Sequence, residues 1–181
     1  MVTRYRATVD EYLALPEEPP YLEYVDGEIL QKAMPDWDHG QLVKQLTLWS
    51  WRYDQQAGGN SGPEIRVQFT TERGKQYRLP DYGYWAPGRP RRAGKFAAPP
   101  TLAVEIRSPD EPMRDQREKC RYYRANGVDA AWLVDPESRT IEVFDADRDG
   151  VALREDDTLE SPALPGFALP LKELFAVLDQ E

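Results

Sequence analysis

An almost unbroken apolar run, TLAVEIRS at residues 101–108, constrains the fold more than any other stretch of the sequence. The run stays apolar until Glu105, which is typical of a strand in the centre of a sheet. The chain has 181 residues, of which 40% are hydrophobic, and this matches the usual size and composition of one globular domain. We therefore expect a single domain over residues 1–181, built around this strand.

Two stretches have the apolar spacing of amphipathic helices. The first runs from about residue 39 to residue 57, with Asp36 or Asp38 as its N-cap and two glycines at its end. The second runs from about residue 113 to residue 126, between a proline and a glycine. Each helix should bury one face.

Four stretches have the composition and alternation of strands, and they read IRVQFT, YRLPDYGYW, TLAVEIRS and AAWLVD. The first three lie between the two helices, and the fourth follows the second helix at once. The predicted order is helix, three strands, helix, strand, which indicates an α/β fold with helices packed on a sheet.

Additional elements are predicted at both ends of this core. A short helix over residues 10–15 follows Thr8 in a capping-box arrangement with Glu11. YLEYV and EILQK flank Asp26-Gly27, the two-residue signal for a type I′ hairpin. Near the C-terminus we expect a second hairpin, TIEVFDA with VALRE around Asp149-Gly150, and a short helix near residues 171–177.

The sequence favours a reducing compartment away from membranes. Cys120 is the one cysteine, so no internal disulfide can form and no cysteine-rich zinc site is possible. The N-terminus lacks the apolar core of a signal peptide, and no stretch approaches the roughly 20 apolar residues that span a bilayer. We expect a soluble, cytoplasmic protein.

Charge is unevenly distributed along the chain. The net charge of −9 works against attraction to a nucleic-acid backbone. From Tyr82 to Val104, however, there is no Asp or Glu, and four basic residues cluster there: Arg89, Arg91, Arg92 and Lys95. This stretch is either a local basic contact for nucleic acid or a solvated loop rich in proline and glycine.

Two carboxylates stand where a metal site could form. Asp81 follows Pro80 in LPDYGYW, and Glu105 ends the apolar run 24 positions later. A buried carboxylate is costly unless it is paired, hydrogen-bonded or bound to a metal. Hard oxygen ligands on neighbouring strand ends suit magnesium and phosphodiester hydrolysis. The alternative is a structural ion pair of Glu105 with Arg107 or Lys119.

A set of motifs in a characteristic order resembles one known family. The motifs are YLEYVDGEI, DWDHG, LPDYGYW, LAVEIRSPDE, the helix with Asp115, Lys119 and Tyr123, GVDAAWLVDP and LPGFALPLKELF. Together they cover nearly the whole chain and resemble the Uma-two family of endonuclease-like proteins, a PD-(D/E)xK group long catalogued as a domain of unknown function. The resemblance implies a restriction-endonuclease-like α/β/α core, in agreement with the element order above.

The resemblance also implies the roles of the site residues. Asp81 corresponds to the PD aspartate and Glu105 to the acidic residue of the (D/E)xK strand, and both would bind Mg²⁺ or Mn²⁺. Where the superfamily has lysine this chain has Arg107, which cannot serve as a base. In this family the lysine moves to the following helix, which makes Lys119 the candidate. Its alternative is an i,i+4 ion pair with Asp115.

The resemblance adds two further residues to the site. His39, the one histidine, belongs there by the family's His-Gly pattern, and its alternative is a first-turn helix residue without a chemical role. Glu28 matches the family's DGE element, although turn chemistry already explains Asp26-Gly27. The five tryptophans are predicted to be core residues with no part in the site.

These observations predict a metal-dependent endonuclease, with DNA as substrate by family analogy. Arg107 and the acidic composition leave open a second hypothesis, a non-catalytic nucleic-acid-binding or assembly module that keeps the fold. A homodimer is expected because two cuts on a duplex suit two-fold symmetry.

Overall fold

The structure is a computed structural model, and it describes residues 4–179 of the chain. The helices are α1 (Val9–Leu13), α2 (Trp37–Ala57), α3 (Met113–Ala125) and α4 (Leu171–Phe175), followed by a 3₁₀ turn (Ala176–Asp179). The strands are β1 (Arg4–Arg6), β2 (Leu22–Val25), β3 (Glu28–Gln31), β4 (Asn60–Pro63), β5 (Val67–Thr71), β6 (Gly74–Arg78), β7 (Tyr82–Trp85), β8 (Arg92–Ala93), β9 (Phe96–Ala97), β10 (Leu102–Ile106), β11 (Ala130–Asp135), β12 (Thr140–Phe144), β13 (Asp149–Arg154), β14 (Thr158–Glu160) and β15 (Ala168–Pro170).

The centre of the molecule is a six-stranded sheet in the order β13-β12-β11-β10-β7-β4. Its strands β10 and β11 are parallel and are connected by α3, as expected for a crossover helix. The other neighbouring strands pair antiparallel. The apolar run of β10 is buried at every residue, so the prediction of a central strand is confirmed.

Helices cover both faces of this sheet. Leu102, Val104 and Ile106 of β10 pack in one cluster with the buried face of α2 and with α4. Ala103 packs in a second cluster with Cys120 and Tyr123 of α3. Since side chains alternate along a strand, Glu105 points to the α3 side. The predicted α/β class and its α/β/α layering are confirmed.

The prediction of which strands form the core is partly wrong. β4, rather than IRVQFT, is the first core strand after α2, and it pairs with β7. IRVQFT contains β5, which pairs with β6 in a separate seven-stranded sheet ordered β1-β3-β2-β6-β5-β9-β8. YRLPDYGYW likewise divides between β6 and β7, because the chain passes from one sheet to the other at Leu79-Pro80-Asp81. Alternation identifies a strand but not the sheet it joins.

The N-terminal additions are confirmed. Thr8 caps α1 in a reciprocal capping box with Glu11. β2 and β3 form the predicted hairpin, with φ of 53° at Asp26 and 81° at Gly27, as a type I′ turn requires. The start of α2 is also close to the prediction, since Asp36 is its N-cap and its side chain accepts a hydrogen bond from the backbone N–H of His39.

Two local predictions are wrong. Asp149-Gly150 lies inside β13, and the turn of the second hairpin is formed by residues 145–148 instead. Of the tryptophans predicted to be core residues, Trp85 and Trp132 are buried, but Trp37 and Trp51 are 72% and 60% exposed. Both lie on the outer side of α2, away from the face that packs on the sheet.

No helix within residues 4–179 is long and apolar enough to cross a membrane.

Candidate active site

Asp81 stands at the start of β7, where the chain enters the six-stranded sheet. Its side chain is 2% exposed, and its Oδ2 accepts a hydrogen bond of 2.6 Å from the backbone N–H of Ile106. The β7–β10 register pairs Tyr82 with Val104, so the next step along both strands places Asp81 beside Glu105. The two acidic residues predicted from the sequence therefore lie on neighbouring strands at one place.

Glu105 is held by two donors from α3. Its Oε1 accepts from the Tyr123 hydroxyl at 2.6 Å, and its Oε2 lies 2.9 Å from Lys119 Nζ. Burial raises the pKa of Glu105 to about 7, and the negative charge of Asp81 adds to this effect, against the attraction of Lys119. The carboxylate is fixed in orientation and binds its proton unusually tightly.

Lys119 is shared between two carboxylates. Besides Glu105, its Nζ lies 3.1 Å from Oε1 of Glu23. Burial alone would lower the pKa of Lys119, but the negative charges of Glu105 and Glu23 raise it above the ordinary value. The amine is therefore a permanent cation and cannot act as a base near neutral pH.

Glu23 connects Lys119 to the segment that carries Asp81. It is buried, and the same Oε1 accepts from the backbone N–H of Leu79 at 2.7 Å. Its Oε2 lies 3.3 Å from the guanidinium of Arg78. Burial would raise the pKa of Glu23, but Lys119, Arg78 and the Leu79 hydrogen bond lower it to about 2. Glu23 is thus an ionised anchor for both sides of the site.

Lys32 and His39 face Asp81 from the other side. Lys32 Nζ lies 2.7 Å and His39 Nε2 3.4 Å from Oδ1 of Asp81. Burial would raise the pKa of Asp81, but these two groups lower it below the ordinary value. For His39, burial would lower the pKa, and the interaction with Asp81 raises it instead. His39 therefore lies in contact with Asp81, as the resemblance implied.

The hairpin of β2 and β3 explains why Glu23 and Lys32 meet at the site and Glu28 does not. Glu23 pairs with Leu30, and strand alternation puts Lys32 on the same face. Glu28 shares this face but lies four residues before Lys32, about 13 Å along the strand at 3.3 Å per residue. Its carboxylate instead pairs with Arg4 at 3.3 Å. The structure therefore does not bring Glu28 to the site.

Arg107 takes no part in the cluster. Its guanidinium contacts Asp135, the last residue of β11, at 2.8 Å and Glu137 just after that strand at 2.5 Å. No ion pair joins Lys119 to Asp115 within residues 4–179, whereas the Glu105–Lys119 pair that we considered as an alternative is present. Lys119 occupies the place next to Glu105 that Arg107 leaves free.

Charges nearly balance within the cluster. It contains three buried carboxylates and three largely buried basic groups, so the formal charges cancel when Glu105 is ionised and His39 is neutral. The acids are Glu23, Asp81 and Glu105, and the bases are Lys32, Arg78 and Lys119. Such balance offsets part of the desolvation cost of the buried carboxylates, although burial still raises the pKa of Glu105.

The donor set suits magnesium rather than a metal bound wholly by protein. No group of three or more His, Cys, Asp or Glu side chains between residues 4 and 179 is arranged to hold a metal ion. Mg²⁺ commonly uses one or two carboxylates and completes its octahedron with water and phosphate oxygens. Oδ1 of Asp81 is buried without a hydrogen bond, because Lys32 Nζ is close but poorly aligned with it. A cation could take this oxygen if Lys32 moved aside.

Sequence reasoning missed four residues of the cluster, namely Glu23, Lys32, Arg78 and Tyr123 as a donor. The available signal was a glutamate inside the otherwise apolar strand YLEYV, which must find a partner if it is buried. Lys32 and Arg78 gave no local signal, since their partners lie on other elements.

Comparisons with known proteins agree with a nuclease fold. The model of the Uma2 family, described as "Putative restriction endonuclease", matches residues 9–172. Five chains of solved structures match this chain significantly. One is the crystal structure of "a putative nuclease belonging to DUF820" from Anabaena variabilis, with 26% sequence identity and a TM-score of 0.82, covering 95% of this chain and 99% of that chain. No curated protein matches.

Proposed function

This chain belongs to the Uma2 family, and on that premise we propose that it is a metal-dependent endonuclease that hydrolyses phosphodiester bonds in DNA. The observation that supports this best is the junction of β7 and β10. There the Ile106 N–H donates to Asp81 at 2.6 Å, so Asp81 of β7 is held beside the end of β10, which carries Glu105. Lys119 contacts the Glu105 carboxylate.

In this proposal Asp81 and Glu105 would hold Mg²⁺ or Mn²⁺, and the ion would supply polarisation of the scissile phosphate and acidification of a bound water. Lys119 stays protonated, so it stabilises the negative charge that develops on the phosphate. Tyr123 fixes the orientation of Glu105. Glu23 would keep Lys119 in place if the Glu105 carboxylate bound a metal ion. His39 lies on the Asp81 side, where it can donate to a phosphate oxygen.

Calorimetric titration of Mg²⁺ or Mn²⁺, combined with plasmid cleavage on the same samples, tests the proposal. The variants are Asp81→Asn, whose amide oxygen can still accept from Ile106 N–H, and Glu105→Gln, which can still accept from Tyr123. We expect both to lose metal binding and cleavage, because each removes an anionic ligand. Lys119→Met should keep metal binding and lose cleavage.

Glu28→Gln is the matched control, since it neutralises a carboxylate of the same hairpin that lies outside the cluster. It should bind metal and cleave like the wild type. Metal binding without cleavage in the wild type would favour a non-catalytic module that retains the fold. If the wild type binds no metal, the two carboxylates serve structural ion pairs.

We include a homodimer in the proposal, because a two-fold axis would present one site to each strand of a duplex. Sedimentation of the wild type over a range of concentrations tests this part independently of cleavage.

A further inference from the structure

The four basic residues between Tyr82 and Val104 do not share one role in the structure. Arg89 is used internally: it donates to the carbonyl oxygens of Pro99 at 3.1 Å and Pro100 at 2.9 Å, and it pairs with Asp129 at 2.6 Å. Arg91, Arg92 and Lys95 are exposed on the hairpin formed by β8 and β9. One arginine thus anchors the segment and three cations face solvent.

The hairpin is firmly attached to the body of the protein. The indole N–H of Trp85 donates to Ala98 O at 2.8 Å, and Ala98 N donates to Arg91 O at 3.1 Å. Ala97 N donates to Arg66 O at 3.0 Å, which joins β9 to β5 at the edge of the seven-stranded sheet. The segment is therefore an ordered hairpin rather than a solvated loop.

The three exposed cations also have no acidic partner. No carboxylate lies within 4.0 Å of Arg91, Arg92 or Lys95 in the part of the chain that the structure describes, in contrast to Arg114, Arg117 and Arg121 of α3. Lys95 Nζ lies 4.9 Å above the Phe96 ring, which orients it without neutralising it. The hairpin carries a local charge of three positive groups on a chain whose net charge is −9.

We propose that the β8–β9 hairpin is a contact for the phosphate backbone of DNA, in which Arg91, Arg92 and Lys95 bind phosphate oxygens. The proposal rests on the proposed function and assigns part of its substrate-binding surface. An acidic chain repels a polyanion at long range, so a rigid patch of unpaired cations is needed where the two meet. Arginine and lysine at such a patch position a duplex without reading its sequence.

Arg91, Arg92 and Lys95 form no ion pair with a carboxylate of the catalytic cluster in the described part of the chain. Asp81 lies at the beginning of β7, and the chain leaves for the hairpin from the other end of that strand. Four residues of strand span about 13 Å. Removing the three charges should therefore weaken DNA binding and raise KM, while the cleavage rate at saturating DNA stays unchanged.

The test measures binding of a fluorescently labelled DNA duplex in EDTA as a function of salt concentration. It compares the wild type with Arg91→Gln/Arg92→Gln/Lys95→Gln and with a control, Lys44→Gln/Lys75→Gln/Lys172→Gln. The control lysines are exposed, lie on α2, β6 and α4, and change the net charge equally. Each phosphate contact contributes about 0.9 to the log–log salt slope, so three contacts contribute up to about 2.7.

We expect the hairpin variant to lose up to about 2.7 from that slope and the control to keep the wild-type slope. Equal changes in the two variants would overturn the proposal, because net charge alone would then explain them. An unchanged slope in the hairpin variant would also overturn it. If the wild type neither binds nor cuts a duplex, the proposed function itself is refuted. A result for the hairpin variant alone tests only the role of the hairpin.

Discussion

Glu105 binds its proton more tightly than a glutamate in water, although a lysine contacts it. Its pKa of about 7 in the folded protein compares with an ordinary value of 4.5. Between these two pH values the folded chain retains a proton that the unfolded chain has released. The stability that this proton contributes is complete below pH 4.5 and is lost as the pH rises through about 7.

We predict that Glu105→Gln removes this pH dependence, since glutamine carries no titratable proton. The free energy of unfolding of the wild type, relative to the variant, should fall by on the order of 3 kcal/mol over that range. Urea denaturation of both proteins, at one pH below 4.5 and one above 7, measures it. A difference that stays constant with pH would show that folding does not shift the pKa of Glu105.

Single residues also mark what the sequence could reveal of the site. Asp81, Glu105, Lys119 and His39 were predicted from motif order, and the structure brings all four together. Glu23 was missed because its backbone donor, Leu79, is 56 residues away in the sequence. Strand alternation also does not identify the element that packs against each face of the strand. The structure does not bring Glu28 to the cluster, and the motif could not show this because it does not give distance along a strand.

At the scale of elements, the N-terminus of α2 positions part of the site. Asp36 accepts from the backbone N–H of His39 at 2.9 Å, so the helix cap and the imidazole beside Asp81 are held together. An N-cap aspartate stabilises a helix by about 1 kcal/mol. The cap therefore contributes both to stability and to the position of His39.

We predict that Asp36→Ala lowers the free energy of unfolding by about 1 kcal/mol and that Asp36→Asn, which keeps a cap oxygen, does not. Loosening the first turn should also move His39 from Asp81 and lower its raised pKa. NMR titration reports this cleanly, since the sequence has one histidine. A cap variant with an unchanged imidazole pKa would show that other contacts position His39.

The elements themselves were easier to predict than their partners. The helices and the first hairpin have end signals within a few residues, such as Asp36 or Asp26-Gly27, and these were located correctly. β4 was missed because Asn60-Ser61-Gly62-Pro63 has no strand composition and is a strand only through pairing with β7. The sheet partner of a strand depends on distant segments that no local pattern contains.

At the scale of the whole molecule, one apolar cluster joins the two large sheets. Phe69 of β5 is buried and stacks on Tyr123 of α3 with ring centroids 5.8 Å apart. Tyr123 in turn donates to Glu105 in the other sheet. The two sheets therefore share a core, as a single domain requires.

We predict that Phe69→Ala costs about 3–5 kcal/mol and that both sheets still unfold together. Thermal transitions followed by near-UV and far-UV circular dichroism should coincide in the wild type and shift together in the variant. Thr70→Ala, an exposed neighbour on the same strand, should leave them nearly unchanged. Two separate transitions would indicate two independent folding units.

The outer strands of the sheets have a consequence for self-association. β4 ends in Gly62-Pro63, β8 is two residues long and carries Arg92, and β1 reads Arg-Tyr-Arg. A proline, a very short strand and repeated charges each discourage another chain from extending a sheet. These three edge strands therefore disfavour the strand-to-strand aggregation that leads to amyloid. The protein can be concentrated without polymerising through them.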